Sequence, residues 1–263
     1  ATPEGSAVKT HGITVAFLSK HPFLDEEDII EFPGGPALAI HDLDEDGEMV
    51  PVDRMSRGAL RVRVNAGGLR ADVVTAHLKS KLLSYKRPGG RTAFAPRDEA
   101  ERAQVGGIAL MRRSAEAVTL RLKANALLEG NAATPLVMLG DFNDVPDAQT
   151  SLLIAGPSGS QVGTGGFDRP DRGDDARLFN LAELIAPERR YSRIHQGRGE
   201  LLDQIFVSEE MLPFGPGVKR TLPELVDSKV DLADGLPSIG DDPNVRAEAV
   251  LPDHAPVFAR FAF

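Results

Sequence analysis

Four short stretches of the chain set an ionisable side chain at the end of, or inside, an apolar run. Leu136-Val137-Met138-Leu139-Gly140 delivers Asp141, Asn143 and Asp144, and Val73-Val74-Thr75-Ala76 delivers His77. Leu201-Leu202-Asp203-Gln204-Ile205-Phe206-Val207 holds one carboxylate within it, and Asp253-His254 stand directly before Ala255-Pro256-Val257. Together they supply what hydrolysis of a phosphate ester needs. A carboxylate can orient and deprotonate water, an imidazole can stabilise or protonate a departing oxygen, and a divalent metal can neutralise phosphoryl oxygens. Each stretch alone has a plainer explanation. Gly, Asn and Asp are the commonest turn residues, a lone His at a strand end is often structural, and an Asp in a strand often serves as a cap or salt-bridge partner.

The elements that must position these groups are partly legible. The run ending at Leu139 lies between Pro135 and Gly140 and reads as a buried strand. Ala59 to Val64 alternates with period two, Asn65-Ala66-Gly67-Gly68 supplies a turn, and 69–76 returns, so a hairpin should carry His77 to a sheet edge. Pro88-Gly89-Gly90 marks an irregular, mobile loop. From about Arg97 to Leu128 the pattern is helical. Val105, Ile108, Met111, Ala115, Val118 and Leu122 form an apolar stripe, with Arg112, Arg113, Glu116 and Lys123 off it. Gly106-Gly107 could split this helix, and Gly130 is a C-cap candidate. Pro146 and Asp147 open a short helix through Ile154.

Residues 12–18 read as a strand, 25–31 as acidic and without clear periodicity, 201–207 as the Asp203 strand and 255–263 as the closing strand. The Gly/Asp-rich stretch 156–175 and the Pro- and acid-rich 213–250 show no periodicity. Asp42, Asp44, Asp46, Gly47 and Asp53 nearly fit an EF-hand calcium loop. Pro33-Gly34-Gly35-Pro36 excludes the helix that such a loop needs before it, and Asp at the twelfth position is shorter than the usual Glu, so a polar hairpin connection is expected instead. With no repeat and no linker, residues 1–263 should form one α+β domain.

Composition bounds the function classes. Charged residues are 26% and apolar ones 41%, as in a globular chain, and no apolar run reaches the roughly 18–20 residues of a membrane span. The absence of Cys excludes disulfides, thiol catalysis and thiolate zinc sites. No signal peptide is visible, which fixes no compartment where N-terminal strands are expected to be missing; a cytoplasmic location is the expectation, with secretion the alternative. The net charge of −9 argues against indiscriminate coating of nucleic acid. Yet His77 to Arg97 contains no acid, and Lys79, Lys81, Lys86, Arg87, Arg91 and Arg97 are interleaved there with Tyr85 and Phe94. Arg189, Arg190, Arg193 and Arg198 likewise surround Tyr191 and His195. Both clusters read as a phosphate-binding rim, with aromatic rings available for base stacking.

Taken in order, His77-Leu78-Lys79-Ser80, Gly140-Asp141-Phe142-Asn143, Leu202-Asp203-Gln204-Ile205 and Asp253-His254-Ala255-Pro256-Val257 resemble the motifs of the endonuclease/exonuclease/phosphatase superfamily, the fold of deoxyribonuclease I. Pro252 stands where that family usually has Ser. The resemblance implies two packed, mostly antiparallel β-sheets flanked by helices, a four-layer α/β/β/α sandwich. It implies Asp141 as the base that activates water and Asn143 as the group that binds the scissile phosphate. It also implies an Asp203–His254 dyad, His77 on the phosphate or leaving oxygen, and Asp253 as a metal-side carboxylate for Mg²⁺ or Mn²⁺. Lys79, Lys81, Lys86 and Arg87 would bind substrate.

Members of the family open with a strand carrying an Asn and a second strand ending in Gln-Glu, whose Glu holds the metal. Here no Gln is followed by Glu and the chain opens at Ala1. Either this is a fragment lacking its N-terminal strands, which is the expectation, or the protein has lost a metal ligand. The superfamily cuts DNA, RNA, inositol phosphates and sphingolipids. The basic run and the wording His-Leu-Lys-Ser-Lys lean towards a nuclease with nucleic acid as substrate. A phosphatase on a small-molecule or lipid phosphate and an inactive binding module are the alternatives.

Overall fold

The structure, a computed structural model, describes residues 14–34, 38–44, 46–129, 134–156, 159–160, 176–213, 223–228 and 253–262. In chain order these form β1 (Phe23–Glu31), β2 (Ile40–Leu43), β3 (Met49–Val52), β4 (Arg54–Ala66), β5 (Leu69–His77), β6 (Tyr85–Arg87) and β7 (Arg91–Ala93). Then follow α1 (Glu99–Leu128), β8 (Leu136–Asp141), α2 (Gln149–Ala155) and β9 (Leu178–Asn180). The chain continues with β10 (Arg193–His195), β11 (Arg198–Glu200), β12 (Asp203–Ser208), β13 (Leu225–Ser228) and β14 (Val257–Arg260). Among the described residues no helix is long and apolar enough to cross a membrane.

The class is α+β, as expected, with one large sheet of order β1-β4-β5-β8-β12-β9. All its ladders are antiparallel except β5 with β8. Parallel neighbours need a long crossover, and α1 provides it. Side chains alternate between sheet faces. On the central strands the even-numbered residues Val74, Ala76, Leu136, Met138 and Phe206 pack with Ala117, Leu120 and Ala124 of α1. The odd-numbered Val137, Leu139, Ile205 and Val207 pack on the opposite face, where Val226, Val257 and Ala259 of the β13–β14 ladder cover them. The core therefore has helices on one side of the sheet and a second β layer on the other.

Several expectations change. Residues 14–18 are not a strand, and 12–13 lie outside the described residues. The acidic 25–31 segment instead belongs to β1. Its periodicity is obscured because it lies at the sheet edge, mostly exposed, with two register shifts against β4. Pro88-Gly89-Gly90 is a tight turn joining β6 to β7. The acidic 42–53 segment is the hairpin connection expected, with Asp42 taken by Arg112 and Asp44 accepting from the backbone of Asp46 and Glu48.

The helix is unbroken through Gly106-Gly107, and Asp98 caps it by accepting from Glu101 N at 2.8 Å. Gly130, the C-cap candidate, and the whole of 161–175 lie outside the described residues. The buried face of α1 is rotated from the expected stripe: Met111 and Leu122 are 48% and 45% exposed, while Arg113 and Glu116 are buried. Both charged side chains find partners underneath, on the same buried face as Ala117, Leu120 and Ala124.

Candidate active site

The sheet register lines up three of the expected groups. His77 on β5 lies beside Asp141 on β8, and Asp141 beside Asp203 on β12. All three occupy odd-numbered positions, so they form one row across adjacent strands on the face away from α1. His77 Nε2 is 3.2 Å from Asp141 Oδ2. His254, from the turn before β14, places Nδ1 2.6 Å from Asp203 Oδ2 and 3.9 Å from Asp141 Oδ2. Buried Ser192 anchors both halves of this dyad. Its carbonyl accepts from Ala255 N at 2.7 Å, and its hydroxyl oxygen accepts from Leu202 N and Asp203 N at 3.1 and 3.2 Å.

Gly140 makes the row possible. With φ of +145° it lies so close to β5 that a Cβ would stand 2.0 Å from the Ala76 carbonyl oxygen. Next along, Asn143 turns the chain at φ +52° and donates its backbone N–H to Asp141 Oδ1 at 2.8 Å. Its side-chain Nδ2 donates to Leu78 O at 3.0 Å. Asp144 turns the other way, accepting from Arg113 Nε at 3.1 Å and Thr150 Oγ1 at 2.7 Å and pairing with Lys81 at 3.0 Å.

The electrostatics separate the two histidines. Burial, then the Arg57 charge, pushes His77 down to about 4. Burial and the Asp203 charge push Asp141 up to about 6. Their contact meets the distance for an ion pair, but an imidazole this depressed is neutral, so no charge pairing holds it. Burial opposes a charge on His254, yet the hydrogen bond and charge of Asp203 outweigh it and raise its pKa. One imidazole stays neutral and the other favours the proton. Environments pushed apart in this way distinguish acid from base.

Four supporting residues were missed from sequence. Arg57 is half-buried and donates to Leu78 O at 2.8 Å, and its charge acts on both His77 and Asp141. Glu116 accepts from Ser56 N at 2.9 Å and Lys79 N at 2.5 Å. The Leu78–Lys79 peptide is thus gripped on its N–H by Glu116 and on its carbonyl by Arg57 and Asn143. Arg113 adds a bond to Lys79 O at 3.1 Å. Ser192 completes the set. Helical periodicity gave no hint of Arg113 or Glu116. The only local sign of Arg57 is Gly58 after it, at φ +71°.

Glu116→Gln should therefore be costly. An amide offers one acceptor oxygen, so one buried backbone N–H loses its partner at roughly 1–3 kcal/mol. We expect a fall of several degrees in Tm by calorimetry, together with reduced turnover. An unchanged Tm would rule out the grip described.

The basic run after His77 is less available than its composition suggests, because α1 and the loop after β8 bring acids to it. Arg87 is bidentate on Glu101, at 2.6 and 3.1 Å, and lies over the buried ring of Tyr85. Tyr85 therefore cannot stack on a base. Lys79 is largely buried, which lowers its pKa, as do Arg112 and Arg57. Lys81 is half-exposed beside Asp144, while Lys86 and the ring of Phe94 are exposed.

Asp141, Asp203 and His254 keep their donor atoms within 4.8 Å of one another, a cluster able to hold a metal ion. Two of the three are carboxylates, which suit a hard divalent ion. Asp253, expected on the metal side, is not part of that cluster, but its charge acts on both His77 and His254.

Residues 5–225 match the Endonuclease/Exonuclease/phosphatase family model. No curated protein gives a significant match. Similar solved structures include the human Nocturnin catalytic domain with bound sulfate, at 16% identity over 73% of this chain and 50% of that one, TM-score 0.40. Truncated Caenorhabditis elegans TDP2 is 15% identical over 93% and 68%, TM-score 0.44. A mannosyl-6-phosphatase of Bacteroides thetaiotaomicron is 15% identical over 93% and 68%, TM-score 0.41. The chain thus spans half to about two thirds of these proteins, and likenesses this slight carry no argument about activity. The family match extends over well more than half of the chain, and by it this protein belongs to the endonuclease/exonuclease/phosphatase family of phosphoester hydrolases.

Proposed function

We propose that the protein is a metal-dependent phosphodiester hydrolase acting on DNA or RNA. The observation that carries the chemistry is the His77–Asp141–Asp203 row with His254 held 2.6 Å from Asp203. Asp141, oriented by Asn143 N–H, takes a proton from the attacking water. His254, its charged form favoured by Asp203, gives a proton to the departing oxygen through the nitrogen that Asp203 does not hold. His77 and Arg57 face the phosphate, and the second amide hydrogen of Asn143 remains for it. Mg²⁺ or Mn²⁺, held by Asp141 and Asp203 with Asp253 nearby, would neutralise the phosphoryl oxygens. Lys81 and Lys86 supply affinity for the strand, with Lys79 behind them. Arg87, committed to Glu101, supports the β6–β7 hairpin.

A second reading, a phosphatase on a small-molecule phosphate, draws on one observation. Arg87 and Tyr85, which a nucleic-acid rim would present, are engaged within the protein. Plasmid nicking and hydrolysis of a small phosphomonoester, measured side by side with Mg²⁺, decide between the two. Nicking without monoester hydrolysis is the expected result, and the reverse would overturn the nuclease reading.

The base role sets a pH dependence. Asp141 works only when ionised, and its folded value lies near 6. With small diester substrates, kcat/KM should fall as pH drops through that value, separately from the alkaline limb set by loss of the His254 proton. Added divalent ion stabilises the carboxylate and should move this limb to lower pH. A profile level down to pH 4.5 at limiting metal would remove Asp141 as the base.

A further inference from the structure

The β10–β11 hairpin carries a cationic face that the chemistry above does not use. Directly opposed residues share a face, so the pairs Arg193–Glu200 and His195–Arg198 place all four side chains on one side. The other side is closed by Tyr191, packed so tightly on Gly199 that a Cβ there would lie 2.9 Å from its ring. Glu200, at the base of the face, is 3.9 Å from Lys81 Nζ, itself 3.0 Å from Asp144. The face therefore adjoins the loop that follows His77. Arg198 is five residues from Asp203, at most about 17 Å of chain.

Neighbouring arginines show what a structural role looks like here. Arg189 is bidentate on Asp227, at 2.8 and 3.0 Å, and Arg190 pairs with Glu183 at 2.7 Å. The side chains of Arg193 and Arg198 make no hydrogen bond or ion pair among the described residues, and Arg193 Nε is buried without an acceptor. His195 and Arg198, both exposed, face each other across the ladder, a pairing that costs stability whenever the imidazole is charged. In a chain of net charge −9 an acid opposite Arg198 would be the ordinary solution.

We infer that this face binds phosphates of a polynucleotide strand running outward from the active centre, an inference that rests on the nuclease reading above. One strand of B-DNA carries a phosphate per roughly 3.4 Å, so a strand that runs from the active centre along this hairpin brings more than one phosphate to it. A small phosphate ester has no further phosphates to offer this face.

The test compares wild type with Arg193→Ala/Arg198→Ala, after confirming equal Tm. Binding of a single-stranded oligonucleotide about a dozen nucleotides long is measured across salt concentrations in EDTA. Cleavage of that oligonucleotide and of bis(p-nitrophenyl) phosphate is measured with Mg²⁺. Losing two phosphate contacts should flatten the slope of log K against log salt by about 1.4. Oligonucleotide kcat/KM should fall at least about tenfold, mainly through KM, while the two proteins coincide on the small diester. An unchanged salt slope with normal oligonucleotide cleavage overturns the hairpin assignment and leaves the nuclease reading standing. A wild type that cleaves the small diester but neither binds nor cleaves the oligonucleotide overturns both.

Discussion

Asp203→Asn should lower turnover by about 10²–10⁴ while Tm stays close to that of wild type. The side chain is nearly isosteric, so packing around β12 survives. What disappears is the carboxylate 2.6 Å from His254 Nδ1, the main influence that outweighs burial and favours the imidazolium. Without it His254 gives up its proton at lower pH, so the alkaline limb of the rate profile should move down. Asn can also present its amide rather than its oxygen to Nδ1 and hold the wrong tautomer. His254→Ala should match this loss, and the double variant should be little worse than either single change, because the two act as one unit. If Asp203 merely supported its strand, Tm would fall and the surviving protein would turn over normally. Turnover within tenfold of wild type would remove Asp203 from the site.

Gly140→Ala should be the most damaging single-methyl change near the site. The new Cβ would lie 2.0 Å from the Ala76 carbonyl oxygen, and the obstacle is backbone of the neighbouring strand, which cannot rotate aside. The φ of +145° is itself strained for any residue with a side chain. Ala76 and Gly140 are register partners immediately beside His77 and Asp141, so relief means prising β5 from β8 where the proposed catalytic row crosses them. We expect a loss of several kcal/mol, a large share of the total stability of a domain, seen as a lowered Tm and poor folded yield. In a chain of this size about 1 kcal/mol corresponds to roughly 2–4 °C. A drop smaller than that would show that the two strands can separate cheaply.

How residues lie on each strand was legible in the sequence, because a strand repeats every two residues. The run ending at Asp141, the hairpin carrying His77 and the strand of Asp203 are all present as read, with their apolar positions divided between two faces. The residue types at their ends indicated the chemistry. The acidic edge strand β1 escaped, since exposure on most of its length removes the alternation that periodicity detects.

Which strands become neighbours, and in what register, only the tertiary structure decided. Nothing local says that His77 and Asp203 flank Asp141, or that His254 closes on Asp203 across 51 residues. The rotation of α1 was equally hidden. Glu116 and Arg113 are charged and look solvent-facing, but their partners are backbone groups near Ser56 and Lys79 and the Asp144 carboxylate, all distant in sequence. The same holds for charge. A run without acids looked free to bind phosphate, yet α1 brings Glu101 to Arg87. Periodicity and residue type are carried within a few consecutive positions. The pairing of charges, and the alignment of His77, Asp141 and Asp203 into one row, depend on contacts that exist only once distant segments have packed together.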